Sequence, residues 1–513
     1  MKKIFIWLGL ICLTISLAGC AIGGEDPLPG SSQLGAYSHQ EQETEIIPAR
    51  DYISLVFYED MDIHPLTTTN RDNHELLKLV YSPLIRLNKA LEVQYVLAES
   101  VEVQQTEVTL RLKKDLKFSD GSAVTASDVE ESFRIVRNNP SSPYYERLQN
   151  VRSYRVEDKR TLKLTLHQAD VDFINNLDIP IVKKGKDVGC GAYRFSVKGG
   201  ERVLVPNQHC FAQPSIETIY LKKPANEKER QNMFAVGLLD VYFGNAESEQ
   251  VFAGGKSYRV QSVPGDNLLY LGVNCREGLL ANPKLRNLLN KLIGREKLVQ
   301  SVLLGQAQAA VYPYQPAWYK AVQTVEGGGL SEGEKKALAA ELNLTVTEKE
   351  LLDAEQKPLT FRLLVAKESL IHREAAQAVA ESYGVAGVTI QIEAVARADY
   401  DARLLAGDFD LYLGEVKTGR TLNTALFAAG SAINYSGSTF PALEQAAADY
   451  QNGSKGLALY CTAFDKQTPI IPLAYRGGAL FAAADIGEFK STGAWALYGD
   501  ITKLITIETE IAK

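Results

Sequence analysis

The sequence predicts an α/β protein with mixed sheets and more than one lobe, and three observations carry that expectation. The chain has 513 residues, whereas single hydrophobic cores seldom grow past about 250 to 300 residues. In its first half apolar and polar residues alternate along Val108–Lys113 and Thr161–Leu166. In its second half the period switches from two to three or four and back between Leu359 and Ile392, the order of a βαβ unit and hence of parallel strands.

The N-terminus comes first in chain order. Lys2 and Lys3 precede an apolar run from Ile4 to Leu17 that ends in Leu17, Ala18, Gly19 and Cys20. The run is short for a membrane span and has the charge order of a secretory signal. Small residues directly before a cysteine fit a bacterial lipoprotein cleavage box, so residues 1–19 are read as a signal peptide and Cys20 as the lipid-bearing first residue. An uncleaved anchor is the alternative. Loss of residues 1–19 removes two lysines and no acid, which moves the net charge from -7 to -9. That acidic balance argues against nucleic acid as a partner. Residues 20–50, rich in Gly, Pro, Ser and Glu with no apolar period, read as a flexible tether.

From Tyr52 the pattern is globular. Val108, Leu110 and Leu112 alternate with Thr109, Arg111 and Lys113, and Leu162, Leu164 and Leu166 with Lys163 and Thr165, as in strands with one buried face. Between them lies "FSDGSAVTASDV", residues 118–129. Its aspartates do not follow the ligand spacing of a calcium loop. Asp120 and Gly121 suit a turn. Thr125 suits a helix N-cap with Asp128 reaching back three residues later, and Val129, Phe133 and Val136 supply the buried stripe.

Gly191–Ser196 and Arg202–Val205 read as a hairpin turning at Gly199 and Gly200. It brings Cys190 and Cys210 roughly opposite each other, and either a disulfide or two ordinary buried thiols fits. Asn282 and Pro283 suit the N-cap and first position of a helix with a stripe at Leu285, Leu288, Leu289 and Leu292. A second helix follows Gly294. After the loop "EGGGLSEGEKK", Leu359, Phe361, Leu363 and Val365 make a strand, Ile371 to Tyr383 a helix, and Val388, Ile390 and Ile392 a parallel strand. "FDLYLG" adds another strand after a second short helix.

The motifs that touch on catalytic patterns are incomplete along the sequence. "HELLK" lacks the second histidine of a zinc protease helix, "GCGAYR" lacks the third glycine of a dinucleotide fingerprint, and GxSxG and CxxC do not occur. The six histidines, at 39, 64, 74, 167, 209 and 372, do not cluster along the chain. No metal, cofactor or catalytic residue is expected.

The stretch "VTLRLKKDLKFSDGSAVTASDVEESFRIV" closely resembles the signature of the family 5 extracellular solute-binding proteins, the peptide- and nickel-type receptors of ABC importers. "DIHPL", "YSPLIRLN", "VLAES", "GCGAYRF", "VGLLDVYFG" and "YLGVNCREGLLANPKLRNLLNKLIGREKLVQSVLLGQAQAA" resemble further family segments in the same order. The resemblance implies a two-lobed periplasmic-binding-protein fold with mixed sheets, hinge strands between the lobes and an additional inserted domain. It implies a first lobe from 51–83, 183–274 and 479–513, an inserted domain at 84–182 and a second lobe at 275–478. It also implies no enzyme activity. A monomer would capture a ligand, by default an oligopeptide, and hand it to an ABC permease and its ATPase subunits, tethered by its lipid at the extracytoplasmic face of the cell membrane. A surface sensor of the same fold, or a receptor for nickel, haem or a sugar, is the alternative, with an exported enzyme more distant.

The same resemblance points to candidate ligand-binding residues. Tyr270 corresponds to an aromatic lining the family's cleft, with a buried structural tyrosine as the alternative. Glu415 stands where the family often has tryptophan, and Thr418 falls where peptide receptors place the aspartate that pairs with the peptide amino group. Either the ligand differs, or another carboxylate such as Glu415 holds the peptide. Lys417 and Arg420 suit an anionic group or are solvated loop charges.

Overall fold

A computed structural model of the chain describes residues 44–47, 49–88, 90–211, 213–244, 257–320, 331–487, 489, 497–498, 501, 506 and 509–512. The expected signal peptide, Cys20 and residues 20–43 of the tether lie outside them. The chain divides into a large unit, Ile46–Ile511, and a small one of Met1–Glu45 with Ala512–Lys513. The large unit holds every element that builds the site.

Two large hydrophobic cores form within it, beside two small clusters around Phe234 and Val299. One gathers buried side chains from Ile53 to Val263 and again from Leu480 to Ile501. The other gathers those between Leu268 and Tyr475. The first core is built on two four-stranded sheets. In one, Tyr52–Val56 pairs in parallel with Thr218–Lys222, which is followed by Glu201–Pro206 and Tyr193–Lys198. The last two are the expected hairpin, turning where Gly199 and Gly200 both take positive φ, at 61° and 84°, as a two-residue turn of this hand requires. The other sheet is antiparallel, in the order Ala98–Gln104, Glu107–Leu112, Thr161–Leu166 and Val151–Val156.

The helix Ala126–Arg137 packs on that second sheet and begins as the sequence predicts. Asp128 Oδ2 accepts from the Thr125 backbone N–H at 2.8 Å and from its hydroxyl at 2.7 Å. Oδ1 accepts from the Lys184 backbone N–H at 2.9 Å. Asp120 Oδ1 accepts from Ser122 N–H and Oγ at 3.1 and 2.6 Å, and Gly121 has φ 83°. The polar residues of "FSDGSAVTASDV" that the sequence assigned to backbone roles therefore hold a turn and a helix end.

The third sheet is mixed and seven-stranded, in the order Val241–Gly244, Ile470–Ala483, Tyr258–Val273, Leu411–Lys417, Thr360–Ala366 and Thr389–Val395, with Ala307–Ala309 beside Ile470–Ala483. Thr360–Ala366 runs parallel to both of its neighbours, and the helix Leu370–Val385 joins it to Thr389–Val395. The helix continues two residues past Tyr383, where the sequence placed its end. Asn282 caps the helix Pro283–Leu292, its side chain accepting from Lys284 N–H at 3.0 Å.

Tyr258–Val273 and Ile470–Ala483 are the two segments that carry the described backbone from one core to the other. They pair antiparallel, with a register shift between Val263 and Asn267. A Cβ on Gly265 would lie 1.8 Å from Arg476 O, and one on Gly477 would lie 2.0 Å from Val263 O. Only glycine permits so close an approach of backbones at this bulge.

Side chains bridge the cores elsewhere. Asp172 accepts from the hydroxyls of Tyr314 at 2.6 Å and Tyr450 at 3.0 Å. Trp318 Nε1 donates to Leu91 O at 3.3 Å, and Asp178 pairs with Arg420.

Candidate functional site: a tyrosine-floored cavity of paired charges

Leu411–Lys417 and Thr360–Ala366 point their C-terminal ends to the same side of the sheet because they are parallel, and such ends form the common ligand crevice of α/β sheets. A cavity of about 450 Å³ opens there, lined among others by Tyr270, Tyr412, His372, Glu415 and Lys417. Its lining residues run from Asn267 to Tyr435 and include none from the first sheet's strands.

The floor follows from strand register. Tyr270 lies opposite Gly414, and Gly272 opposite Tyr412. A Cβ on Gly414 would lie 2.7 Å from Tyr270 Cζ, and one on Gly272 would lie 1.9 Å from Tyr412 Cε1. Each tyrosine thus lies across a glycine of the neighbouring strand. Their rings meet edge to face at 5.8 Å, and their hydroxyls are 3.2 Å apart. Burial pushes the Tyr270 hydroxyl up to about 12, against the pull of the Tyr412 hydrogen bond. Tyr270 is therefore a neutral, buried wall of the cavity and a structural tyrosine at once.

Glu415 also lines the cavity, but as the residue after Gly414 it points to the opposite face of the sheet from the two tyrosine rings. Its Oε2 is 2.7 Å from Arg476 Nη1 and 3.1 Å from His372 Nε2, and its side chain is 19% exposed. Burial works to raise its pKa, but the His372 hydrogen bond and the Arg476 charge outweigh it, so the carboxyl is held below its ordinary range. Lys417, 72% exposed, lies 3.7 Å from Asp266 Oδ2. Arg397 Nε donates to Asp401 at 2.9 Å.

Thr418 is placed differently from Tyr270, Glu415 and Lys417. It is buried and is not among the lining residues, with its backbone N–H and its hydroxyl both donating to Asp266 O at 3.0 and 3.2 Å. Arg420 is not a solvated loop charge. It is 4% exposed and pairs with Asp178. His372 and Arg476 were not singled out from sequence, because they reach Glu415 only through the fold. The signal available for His372 was its position just after a strand of the βαβ unit.

Chemically the cavity offers binding. It combines an aromatic floor with charges of both signs, and among the described residues no group of three or more His, Cys, Asp or Glu side chains could hold a metal ion. A ligand carrying an ammonium and a carboxylate finds a side chain of opposite charge for each group, Glu415 and Lys417, among the lining residues.

The description "Bacterial extracellular solute-binding proteins, family 5 Middle" matches residues 92–428. The chain belongs to family 5 of the bacterial extracellular solute-binding proteins. Family 5 members are transport binding proteins and not enzymes, and this one is a substrate-binding protein of the ABC importer type. Among its relatives, the glutathione-binding protein GsiB of Salmonella choleraesuis (strain SC-B67) is 25% identical over 349 residues, 61% of this chain and 68% of that protein. GsiB of Escherichia coli (strain K12) is 24% identical over 347 residues, 60% and 67% of the two chains. Among solved structures, the periplasmic murein tripeptide binding protein MppA in its unliganded open form has a TM-score of 0.71 at 18% identity, covering 90% of this chain and 98% of its own. The nickel ABC transporter of Bacillus halodurans has a TM-score of 0.71 at 16% identity, covering 89% and 100%. These likenesses confirm the two-lobed family 5 fold expected from the sequence. Among the described residues no helix is long and apolar enough to cross a membrane.

Proposed function

We propose that this family 5 protein is the lipid-anchored, extracytoplasmic receptor of an ABC importer and that its ligand is a short peptide. On this reading Cys20 carries the lipid, the ligand is passed to a membrane permease driven by a separate ATPase, and the segments 51–83, 84–182, 183–274, 275–478 and 479–513 divide the chain as the family pattern implies. One observation carries the ligand class: Glu415 and Lys417, of opposite charge and each held by an internal partner, line one cavity of about 450 Å³ together with Tyr270 and Tyr412, within the ordinary range of small-molecule sites. A zwitterion matches that pattern. The names of two relatives, a glutathione-binding and a murein tripeptide binding protein, agree with it. Glu415 receives the ligand's ammonium group and Lys417 its carboxylate, while Thr418 acts indirectly by holding the Asp266 backbone.

Calorimetric titration with glutathione and unmodified tripeptides tests this reading, alongside mass spectrometry of any ligand that copurifies. Binding is expected to weaken at least tenfold in Glu415→Gln and when the peptide N-terminus is acetylated. Undiminished affinity in both would reject the ammonium role of Glu415. Copurification of a sugar or haem would reject the ligand class. Labelling of the wild type by a palmitate analogue, lost in Cys20→Ser, tests the anchor.

A further inference from the structure

The glycine-flanked Cys190 of "GCGAYR" has no part in that reading, and it lies in a second cavity, of about 480 Å³, on the first core. Cys190, Cys210, His209, Lys113, Lys117 and Phe211 are among its lining residues. Both cysteines are free thiols in the structure.

Their backbones are tied to each other. Asn207, fully buried, donates from Nδ2 to Gly191 O at 2.8 Å and from its backbone to Ala192 O at 2.8 Å. Its own carbonyl accepts from Cys210 N–H at 3.0 Å. Cys190 is wedged from the other side. A Cβ on Gly189 would lie 2.1 Å from Val80 O, and one on Gly191 would lie 2.2 Å from Leu79 O. That close approach lets Gly191 N–H donate to Val80 O at 2.8 Å, which ties the segment to the end of the helix Arg71–Val80. Two thiols on segments pinned together, one 4% exposed and the other half-buried at the cavity, make an internal resolving thiol and an accessible attacking thiol. The lysines favour an anionic partner, and Phe211, 71% exposed, offers it an apolar contact.

We infer that Cys190 and Cys210 form a redox-active pair that oxidises by exchange with an anionic low-molecular-weight disulfide entering this cavity. The Cys210 sulfur, as thiolate, attacks one sulfur of RS–SR. That S–S bond breaks, and RS⁻ leaves with the bonding pair and takes a proton from solvent. Cys190 then releases its proton to solvent and attacks Cys210 Sγ in the mixed disulfide, expelling the second RS⁻. Two cysteine thiols are oxidised to one disulfide, and RSSR is reduced to two RSH. Burial pushes the Cys190 thiol up to about 12, so it suits the second step better than the first. Extracellular placement of the family supplies an environment where such a bond persists.

The test incubates the reduced full chain with oxidised glutathione, quenches with an alkylating reagent and maps the peptides by mass spectrometry. A glutathione adduct on Cys210 is expected first, then a Cys190–Cys210 linkage, with Cys275 and Cys461 unreacted because they are buried and neither lines this cavity. Cys190→Ala is expected to stop at the Cys210 adduct, and Cys210→Ser to leave Cys190 unmodified. The time course of the unmutated protein decides the order even where a variant fails to fold. The neutral hydroxyethyl disulfide should react several-fold more slowly, with the difference removed by salt. Linkage that forms only in denaturant, or an adduct that forms first on Cys190, would overturn the pair. Equal rates for the two disulfides would overturn the role of the lysines.

Discussion

Asp178 and Arg420 form an ion pair that joins the two hydrophobic cores, with 7% and 3% of their side-chain surfaces exposed. Asp178 lies between Leu177 and Ile179 of the first core, and Arg420 lies close to Leu422 of the second. Arg147 Nη1 also donates to Asp178 Oδ1, at 2.5 Å. Burial opposes the Asp178 charge, but the two guanidinium groups outweigh it and hold the carboxyl below its ordinary range.

Removal of one partner from such a site leaves the other charge buried without compensation, at a cost of roughly 3 to 5 kcal/mol. Asp178→Asn is expected to lose stability on that scale in urea denaturation. A loss under about 1 kcal/mol would mean that water reaches the pair, contrary to its burial.

The Glu415 pair predicts a pH dependence of known sign. The folded carboxyl titrates below its ordinary value, so the pair's contribution is fully present above the unfolded pKa, near 4.3, and is lost as pH falls through the lower folded value. The difference in unfolding free energy between the unmutated protein and Glu415→Gln should be flat above about pH 5 and shrink below it. A difference that grows on acidification would contradict the assignment.

Asp170 predicts the opposite slope. Burial, and then the neighbouring charge of Asp172, push it up to about 7, above an unfolded value near 3.9. Between those values the folded protein holds the extra proton, so stability falls as pH rises from about 4 to about 7 and is constant beyond. Asp170→Asn keeps the oxygen that accepts from Asp172 N–H at 3.0 Å and removes the titration. It should stabilise the protein above pH 7, by on the order of 4 kcal/mol as a ceiling, and flatten the profile. An unchanged profile would show that Asp170 ionises freely in the folded state.

The helix end at Thr125 should behave as structure and not as a site. Asp128→Ala removes the acceptor of the Thr125 and Lys184 backbone N–H groups. A cost near the upper end of the roughly 0.5 to 2 kcal/mol range for caps is expected, with peptide affinity unchanged. Weakened binding without lost stability would contradict this.

Local patterns made much of the fold legible. The hairpin at Gly199 and Gly200, the caps at Thr125 and Asn282, and the βαβ unit around Leu370–Val385 each depend on residues within a few turns of chain. The site was legible only in outline. Glu415 could be named because it stands in a recognisable strand, but its partners His372 and Arg476 lie 43 and 61 residues away along the chain. Arg420 looked like a loop charge because burial by another core leaves no local mark in sequence. The Tyr270 and Tyr412 floor depends on which strands pair, and periodicity reveals the strands but not their partners.

The glycine bulge where Tyr258–Val273 and Ile470–Ala483 pass between the cores has a mechanical consequence. A ribbon two strands wide resists sliding, which would break its ladder of hydrogen bonds, yet bends easily where the ladder is interrupted. Arg476, the partner of Glu415, is next in sequence to Gly477 at that bend, so the Glu415 ion pair and the interrupted stretch of the ribbon are adjacent along one strand.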